Sequence, residues 1–462
     1  MKNMKKYIAV LFASSFLFLA GCDKQLDILP EQSVAESVVL VSDANVKKAL
    51  NGAYDGLSSG SFLGGELQLF SELLAKDGEI TWEGTYNQPR EVANKAILVN
   101  NSFVSGNWLA GYNTINLANN ILSAIDVVNE PDRNRVKGEA LFLRGLSYFE
   151  LVKLFAQPYA AGGNNPGMPL VLTPTRKVDE ASYVPRSTVE QTYAQILADL
   201  TEAESLLPET NGNYAQKPAA AAMLSRVYLQ MANYEGARDA ANRAITYGRH
   251  RLVTPYAKAF NNGRLSATDA ETLSPEDIFR IMVSSQDGVN YMHLYFSIGA
   301  YSAREGDVSV NAKHLDMYEE NDARLDLFYQ GAGTRVGSGP WRVGKWRYNY
   351  SNLPIVRLAE MYLTRAEANF RLGTTVGATP LEDVNRIRTN HAELPPLASV
   401  TLADILKERK LEIAFEGQGV HDLKRLKLSS DGFAWNDPKM VLPIPLREIN
   451  ASKGTLAQNA GY

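Results

Sequence analysis

Residues 138–159 read GEALFLRGLSYFELVKLFAQPY. Large apolar side chains recur in this stretch at steps of three and four, as along one side of an α-helix, and they are Phe142, Leu146, Phe149, Val152 and Phe155. Pro158 and the glycine- and asparagine-rich run at 162–167 are typical of a helix end followed by a loop. The stretch therefore predicts a long helix whose apolar side packs against a larger structure.

Similar patterns predict that most of the chain is helical. Residues 217–248 read as two helices joined by a tight turn at Ala232–Tyr234, and their alanine-rich sides suit close packing. This pair is typical of a tetratricopeptide unit, although its period does not repeat cleanly elsewhere. Between 256 and 352, glycines, tyrosines and short alternating runs such as DIFRIMVS (277–284) predict strands and long loops.

Helices are predicted to resume at NLPIVRLAEMYLTRAEANFRLG, residues 352–373. Pro354 is placed in the first turn of this helix, where its missing N–H costs nothing. Glu367 and Arg371 are four residues apart, so we expect them to form an ion pair on the exposed side.

The amino terminus has the pattern of a secretory signal. Lys2, Lys5 and Lys6 precede an uncharged apolar run from Tyr7 to Ala20 that is too short to span a bilayer. The run ends in Leu-Ala-Gly-Cys, which resembles the lipobox of bacterial lipoproteins, and Cys22 is the only cysteine of the chain. We therefore predict a signal peptide at 1–21 and a lipid anchor on Cys22. The alternative is an ordinary signal peptide followed by a chance cysteine.

Charge and length restrict the function further. The formal net charge is −4, and removal of the three lysines within residues 1–21 takes it to −7. An acidic chain of this kind is not expected to bind nucleic acid or to present a basic membrane-binding face. No segment after the signal has membrane-spanning length.

One cluster of side chains has two interpretations. Glu408, Glu412 and Glu416 share one helical side, with His421 and Asp422 just beyond. Such a group could hold a metal or perform acid–base chemistry. It could equally form an ion-paired seam with neighbouring lysines and arginines, and we favour that interpretation. Nucleophile elbows and phosphate loops are absent from the sequence, so we predict no enzyme, no metal site and no cofactor.

Five blocks, in order along the chain, resemble the SusD/RagB family of outer-membrane nutrient-binding lipoproteins. They are CDKQLDILPE (22–31), GEALFLRGLSYFELVKLFAQPY (138–159), LPIVRLAEMYLTRAEA (353–368), ERKLEIAFEGQGVHDLKRLK (408–427) and LPIPLREINASKGTLAQNAGY (442–462). The chain departs from the family pattern at Gln418–His421, where an arginine and aromatic residues are usual, and at Ala460, where proline is usual.

The resemblance implies a mainly α-helical fold in which degenerate tetratricopeptide-type repeats form a curved scaffold that carries a loop-rich variable part. We divide the chain into the signal at 1–21, an N-terminal helical region at 22–255, the variable part at 256–351 and a C-terminal helical region with an extended tail at 352–462. The resemblance also implies an outer-membrane location facing outward, and a SusC-like TonB-dependent transporter over which the lipoprotein closes as a lid.

The ligand implied is an oligosaccharide, or a peptide as in the RagB branch. Sugar rings stack on exposed aromatic side chains, and loops carry binding groups more often than regular elements do. We predict that the ligand-binding residues are Trp82, Tyr86, Asn87, Arg90, Tyr291, Tyr295 and Trp341, with Tyr301 as a further candidate. Trp82 and Tyr86 lie in DGEITWEGTYNQPR (77–90), which we predict to be a polar loop, so Trp82 is expected at the surface. Trp108 opens a regular helix and is placed in the core, and Trp346, Tyr348 and Tyr350 are expected to pack.

Three other functions stay open on the sequence. The same scaffold could bind peptide, which would require more backbone-pairing polar groups at the site and fewer stacked rings. A surface glycoside hydrolase would require two carboxylates about 5–10 Å apart across a cleft. A purely structural transporter subunit would bind no soluble ligand.

Overall fold

The periodic stretches of the sequence become the helices of a layered scaffold. The computed structural model describes residues 40–248, 250–260, 273–284 and 290–462. The predicted signal peptide and Cys22 lie outside these described residues. Within the described ranges, no helix combines the length and apolar character needed to cross a membrane.

Fifteen α-helices and eight strands are present in the described part of the chain. The helices are α1 Asp43–Ser58, α2 Glu66–Ala75, α3 Asn87–Ala93, α4 Ser102–Ser123, α5 Glu130–Phe155, α6 Val189–Leu206, α7 Lys217–Gln230, α8 Tyr234–Thr246, α9 Tyr291–Phe296, α10 Ala312–Leu315, α11 Leu358–Leu372, α12 Pro380–Asn390, α13 Leu402–Glu412, α14 Gly419–Arg425 and α15 Leu446–Ala451. The strands are β1 Ile80–Trp82, β2 Pro166–Pro169, β3 Arg186–Thr188, β4 Asp277–Ile281, β5 Val308–Val310, β6 Phe328–Ala332, β7 Arg335–Val343 and β8 Leu353–Arg357.

The long helices pack as a series of neighbours. In order, α1 packs on α4, α4 on α5, α5 on α6, α6 on α7, α7 on α8 and α8 on α11, which also contacts α12 and α13. Small residues allow the close approach: a Cβ added to Gly111 of α4 would lie 2.9 Å from the side chain of Leu151. The two predicted helices of 217–248 are confirmed as α7 and α8. The mainly helical fold, with consistent tetratricopeptide-like pairing, is thus confirmed.

The helix predicted from Pro354 begins later than expected. Residues Leu353–Arg357 form strand β8, which pairs antiparallel with β4, and helix α11 starts at Leu358. The β-branched pair Ile355 and Val356 favours the strand once β4 supplies a partner. The ion pair in α11 does form, at 2.9 Å between Arg371 Nε and Glu367 Oε1. Its expected exposure is wrong, because Glu367 is fully buried.

A four-stranded antiparallel sheet joins the two halves of the sequence. Its order is β1-β5-β7-β6, with Ile80 opposite Val310 and Val310 opposite Trp341. The strands expected within 256–352 are confirmed as β4 to β7. Strand β1 lies within 77–90, where a polar loop is predicted from the sequence, and it forms because β5 supplies a pairing partner. The sheet therefore attaches the loop after β1 to the variable part of the chain.

A buried ion-pair network lies where β8, α12 and α13 meet, and Arg357 is at its centre. The guanidinium contacts Glu276 at 3.0 Å, Glu412 at 2.9 Å and Glu416 at 2.7 Å. Lys345 donates to the Glu416 carboxylate at 2.7 Å. A buried charge is costly unless it is paired and hydrogen-bonded, so these groups require one another.

His391 completes the network from the end of α12. Its Nε2 lies 2.6 Å from Glu276 Oε1 and its Nδ1 lies 3.0 Å from Glu412 Oε1. Burial lowers the pKa of His391, but the charges of Glu412 and Glu276 outweigh burial and raise it to about 9. The imidazolium therefore adds a third cation, beside Arg357 and Lys345, to the network at neutral pH.

The ion-paired seam favoured from the sequence is confirmed. Asp422 pairs with the neighbouring Arg409 and Arg425 at 2.8 and 2.6 Å, whereas the glutamates have different partners. Glu408 pairs with Arg324, whose Nη1 lies 2.6 Å from its Oε1, and Glu412 and Glu416 pair with Arg357. These cations come from elsewhere in the chain and not from the same helical stretch. His421 is also buried, and burial holds its pKa well below the usual range, so this imidazole is neutral.

Replacing Arg357 with methionine is expected to lower the free energy of unfolding by about 3–5 kcal/mol, because buried carboxylates lose their cation. Arg335 at the exposed start of β7 provides the control, and Arg335→Met should change stability by less than about 0.5 kcal/mol. Denaturant titration of both variants measures the difference. Equal stability of the two variants would contradict the central role of Arg357.

Candidate ligand-binding surface

The loop that joins β1 to α3 is fixed to the variable part of the chain. The backbone N–H groups of Glu83 and Gly84 both donate to the carbonyl of Asp307, at 2.7 and 3.2 Å. Asp307 in turn donates its own N–H to the carbonyl of Tyr295 at 3.0 Å. These bonds bring the loop of 83–86 next to helix α9, so the two groups of predicted site residues share one region.

Trp82 and Tyr295 lie beneath this loop. Trp82 is 9% exposed and Tyr295 is 2% exposed, and their ring centroids are 5.9 Å apart. The indole Nε1 of Trp82 donates to the carbonyl of Tyr86 at 3.3 Å. The expected exposure of Trp82 is wrong, because Tyr295 and the sheet cover its ring. Ligand contact by either ring stays a prediction. In the structure, the hydrogen bond of Trp82 to the Tyr86 carbonyl and its contact with Tyr295 hold the loop in place. Trp108 is buried in the core as predicted.

Tyr86 is the exposed ring of the loop, with 40% of its surface accessible. The Arg304 guanidinium carbon lies 4.0 Å from the centroid of this ring, and Phe103 meets the ring edge-on at 5.9 Å. Arg304 is itself held by the Asp307 carboxylate at 2.5 Å and by the Thr85 hydroxyl at 3.0 Å. A cation over an aromatic ring is attractive, so the pair forms a preorganised edge of ring and donors.

Asn87 and Arg90 extend this edge along the first turns of α3. Both side chains are exposed, and Arg90 Nη1 donates to Asn87 Oδ1 at 3.0 Å. Arg90 Nη2 donates to the carbonyl of Gly84 at 2.6 Å, which holds the guanidinium beside the loop. An amide and a guanidinium with solvent-facing donors can bind hydroxyl groups of a ligand.

Tyr291 covers a glycine-rich turn at the other side of the region. Its N–H donates to the carbonyl of Gly64 at 2.8 Å, and a Cβ added to Gly60 would lie 2.5 Å from the Tyr291 ring. Below them, burial raises the pKa of Glu66 to about 8, although hydrogen bonds from Ser61 and Asn107 oppose the shift. Tyr291 also meets the ring of Tyr295 edge-on at 5.9 Å.

Trp341 does not contact the Tyr86 loop, but its strand β7 belongs to the same sheet as β1, the strand from which that loop begins. It is 40% exposed near the end of β7, and the sheet order puts one strand between β7 and β1. At a strand spacing of about 4.8 Å, the two strands are about 10 Å apart. The nearby hairpin residue Val336 is 54% exposed. Trp346, expected to pack, is buried, and its Nε1 donates to the carbonyl of Phe415 at 2.9 Å.

Arg304, Thr85 and Asp307 also belong to this surface and were not predicted from the sequence. The sequence run Arg304–Asp307 offered a cation next to acids, but nothing in it identified Tyr86 as the contact. Tyr301, the further candidate, is partly buried against Tyr329 and Tyr348, with ring centroids 5.7 and 5.6 Å away.

Two acidic side chains just before strand β1 are engaged with cations. Asp77 pairs with Lys313 at 2.7 Å, and Glu79 pairs with His314 at 2.9 Å and with Lys410. In the part of the chain that the structure describes, no group of three or more His, Cys, Asp or Glu side chains is arranged to hold a metal ion. Around Tyr86, the candidate surface presents an aromatic ring, the Asn87 amide and the guanidinium groups of Arg90 and Arg304.

Two family models match the chain. One, described as starch-binding and associating with the outer membrane, matches residues 24–229, and the other, described as the SusD family, matches residues 328–440. The chain belongs to the SusD/RagB family. Both matched ranges contain parts of the surface described above, including the Tyr86 loop and Trp341.

Individual SusD-like proteins resemble the chain along most of its length. SusD-like protein P2 of Formosa agariphila is 27% identical, with 99% of this chain and all of the relative aligned. The starch-binding protein SusD of Bacteroides thetaiotaomicron is 24% identical over 74% of this chain and 76% of its own length. A crystal structure of a SusD superfamily protein from Bacteroides vulgatus superposes with a TM-score of 0.76 at 26% identity, over 91% of this chain and 99% of its own. The SusD-like scaffold is therefore shared at low sequence identity.

Trp82 and Trp341, which are both predicted from the sequence to bind ligand, should differ in their contribution to stability. Trp82→Ala removes a buried ring and is expected to lower the free energy of unfolding by about 3–5 kcal/mol. Trp341→Ala removes a ring that is 40% exposed, and the expected change is about 1 kcal/mol or less. Denaturant titration separates the two variants, and a stable Trp82→Ala protein would contradict the burial of that ring.

Glu66 should make stability depend on pH. Its pKa rises from 4.5 in the unfolded chain to about 8 in the folded protein, so the folded state holds the extra proton between these values. The stabilising contribution is complete below about pH 4.5 and is lost as the pH rises through about 8.

Glu66→Gln keeps the shape of the neutral side chain and should flatten the fall in melting temperature between about pH 5 and about pH 8. Glu130→Gln serves as the control, because the Glu130 side chain is 84% exposed. If the melting temperature of the Glu66 variant keeps the wild-type slope, the raised pKa is refuted.

Proposed function

We propose that this protein is a cell-surface lipoprotein that captures an oligosaccharide and delivers it to a SusC-like TonB-dependent transporter in the outer membrane. Family membership supports this proposal, since one matching model describes starch binding in association with the outer membrane. The predicted lipid anchor at Cys22 would keep the protein at the membrane, facing outward. The protein acts as a lid of the transporter and not as an enzyme.

The observation that carries the proposal is the exposed edge formed by Tyr86, Arg304, Asn87 and Arg90. The accessible part of the Tyr86 ring offers an apolar surface to the C–H face of a sugar. Asn87 and Arg90 supply hydrogen-bond donors and an amide acceptor for the surrounding hydroxyls. Because polar donors and an acceptor surround the ring, this surface suits a neutral, hydroxyl-rich ligand better than a flat apolar ligand.

The second exposed ring, Trp341, extends the surface across the sheet. Its strand is hydrogen-bonded to β5, which pairs with β1, so the position of Trp341 relative to the Tyr86 loop is set by backbone hydrogen bonds. A fixed spacing between two exposed rings favours a chain of several sugars over a monosaccharide. The ligand then binds without a closed pocket, and closure over the transporter completes its capture.

Calorimetric titration of residues 23–462 against plant, host and microbial oligosaccharides and mixed peptides tests the proposal. We expect saturable binding to one glycan class. Tyr86→Ala and Trp341→Ala should each weaken this binding by about fivefold or more, because each removes an exposed stacking ring. The control is Phe370→Ala, which removes a ring that is 38% exposed on helix α11.

Binding to peptides alone would contradict glycan capture and favour a RagB-like ligand. Unchanged binding in both ring variants, with the glycan still bound, would contradict the location of the site. Co-purification of the full-length protein with a TonB-dependent transporter from native outer membranes tests the partnership. Recovery of the protein without any transporter would contradict it.

A further inference from the structure

A second groove with saccharide-binding chemistry lies away from the Tyr86 surface. It has a volume of about 680 Å³ and lies between helix α1, the loop that joins α6 to α7, and the end of β4. Volumes of this size are typical of ligand clefts in proteins. The groove is lined by Asn51, Tyr54 and Asp55 of α1, by Asn213 and Tyr214 of the loop, and by Arg280 of β4, among others.

Tyr214 supplies an exposed ring on a rigid support. It is 41% exposed, and its centroid lies 4.8 Å from that of Tyr54. The Tyr54 hydroxyl donates to Glu139 at 2.7 Å and accepts from the N–H of Ala215 at 2.9 Å. These bonds hold both the Tyr54 ring and the loop that carries Tyr214. A large apolar ring that stays exposed on a fixed loop is available to stack on a ligand.

Polar groups border the same groove. Asn51 and Asp55 are four residues apart on α1, so they occupy neighbouring positions on one side of the helix, and both are exposed. Arg280 Nη2 donates to Asn213 Oδ1 at 2.8 Å. A guanidinium carries five N–H donors, so the bond to Asn213 leaves others of Arg280 to bind ligand oxygens at the groove.

The groove leads toward the proposed glycan surface. Asp55 and Ser58 of α1 also line a neighbouring groove of about 590 Å³, which continues to Gly60. Gly60 lies directly against the Tyr291 ring, and Tyr291 contacts Tyr295. From Asn51 to Ser58, α1 spans about 10 Å at 1.5 Å per residue. The two grooves therefore meet along α1, and the second one ends at the turn on which Tyr291 packs.

We propose that the groove at Tyr54, Tyr214 and Arg280 is a second saccharide-binding site, which holds a distant part of the same glycan chain. The inference rests on the proposed function, because it requires that the Tyr86 surface binds glycan. Sugars stack on Tyr214 and receive hydrogen bonds from Arg280 and the amides. Short oligosaccharides occupy one site, whereas long chains reach both and gain affinity from the second contact.

Native electrophoresis in gels that contain soluble starch, xylan, laminarin or pectin tests the inference by the retardation of the protein. Calorimetry then measures the affinity for trisaccharides and longer fragments of whichever polymer retards it. Tyr214→Ala and Arg280→Gln are compared with wild type, Tyr86→Ala and the control Phe370→Ala. We expect Tyr214→Ala to weaken binding of the polymer by about fivefold while trisaccharide affinity is unchanged. Tyr86→Ala should weaken both. Melting temperatures establish that the variants are folded.

The outcomes separate the two proposals. If the polymer retards wild type and both groove variants equally, the second site is overturned and the proposed function stands. If Tyr214→Ala weakens the binding of trisaccharide and polymer equally, the groove does not bind a distant part of long chains, and the inference is overturned. If no polymer retards wild type and no oligosaccharide of the calorimetric panel in the preceding subsection binds, the proposed glycan function fails and the second site fails with it. Selective loss of polymer binding in Tyr214→Ala and Arg280→Gln supports the inference.

Discussion

The buried guanidinium of Arg357 is the constraint on which the surrounding architecture depends. It is fully enclosed and faces three carboxylates, from Glu276 before β4, Glu412 at the end of α13 and Glu416 beyond it. None of these charges could be buried alone, because removal from water costs several kcal/mol per ion without compensation. The elements that carry them must therefore assemble together. Lys345 extends the network, since it follows β7 and binds Glu416 together with the carbonyls of Glu412 and Ala414. The charge network thus fixes the end of β7 against the C-terminal helices.

Through β7, the same network positions the candidate ligand surface. Trp341 lies four residues before Lys345, and its strand is linked through β5 to β1, from which the Tyr86 loop begins. The loop is then held from the other side by the Asp307 carbonyl and by Arg304. The exposed rings consequently stand on supports that are fixed by backbone bonds and buried ions. Little conformational entropy remains to be lost at these supports when a ligand binds, which favours affinity from a shallow surface.

Local sequence patterns were sufficient for the helices and insufficient for the contacts between distant segments. The periodicity of α5 and the paired helices α7 and α8 could be read directly, because helix formation and amphipathicity are local properties. Strand β8 was misassigned as helix, since its conformation depends on β4, which lies far away in the chain. Trp82 was expected at the surface because its own neighbours are polar, whereas Tyr295 covers it. The common side of Glu408, Glu412 and Glu416 was visible in the sequence, but their partners Arg324 and Arg357 were not.

The arrangement of the rings bears on how selectivity could arise without an enclosed pocket. A single exposed ring such as Tyr86 discriminates poorly, because many sugars present a similar apolar face and one stacking contact contributes only about 1 kcal/mol. Several rings at fixed positions impose a geometric requirement, since a chain must follow the path between them to reach more than one. A ligand that fits the spacing binds more tightly, because its second contact forms at a high effective concentration. A ligand that cannot span the rings gains no affinity from the second ring. On this view the helical scaffold fixes the distances between the rings and so determines which ligand lengths and curvatures fit, while the loops supply the local contacts. Under the proposed function, the rigidity conferred by the buried charges would contribute to selectivity, because a flexible scaffold would let the spacing between the rings vary.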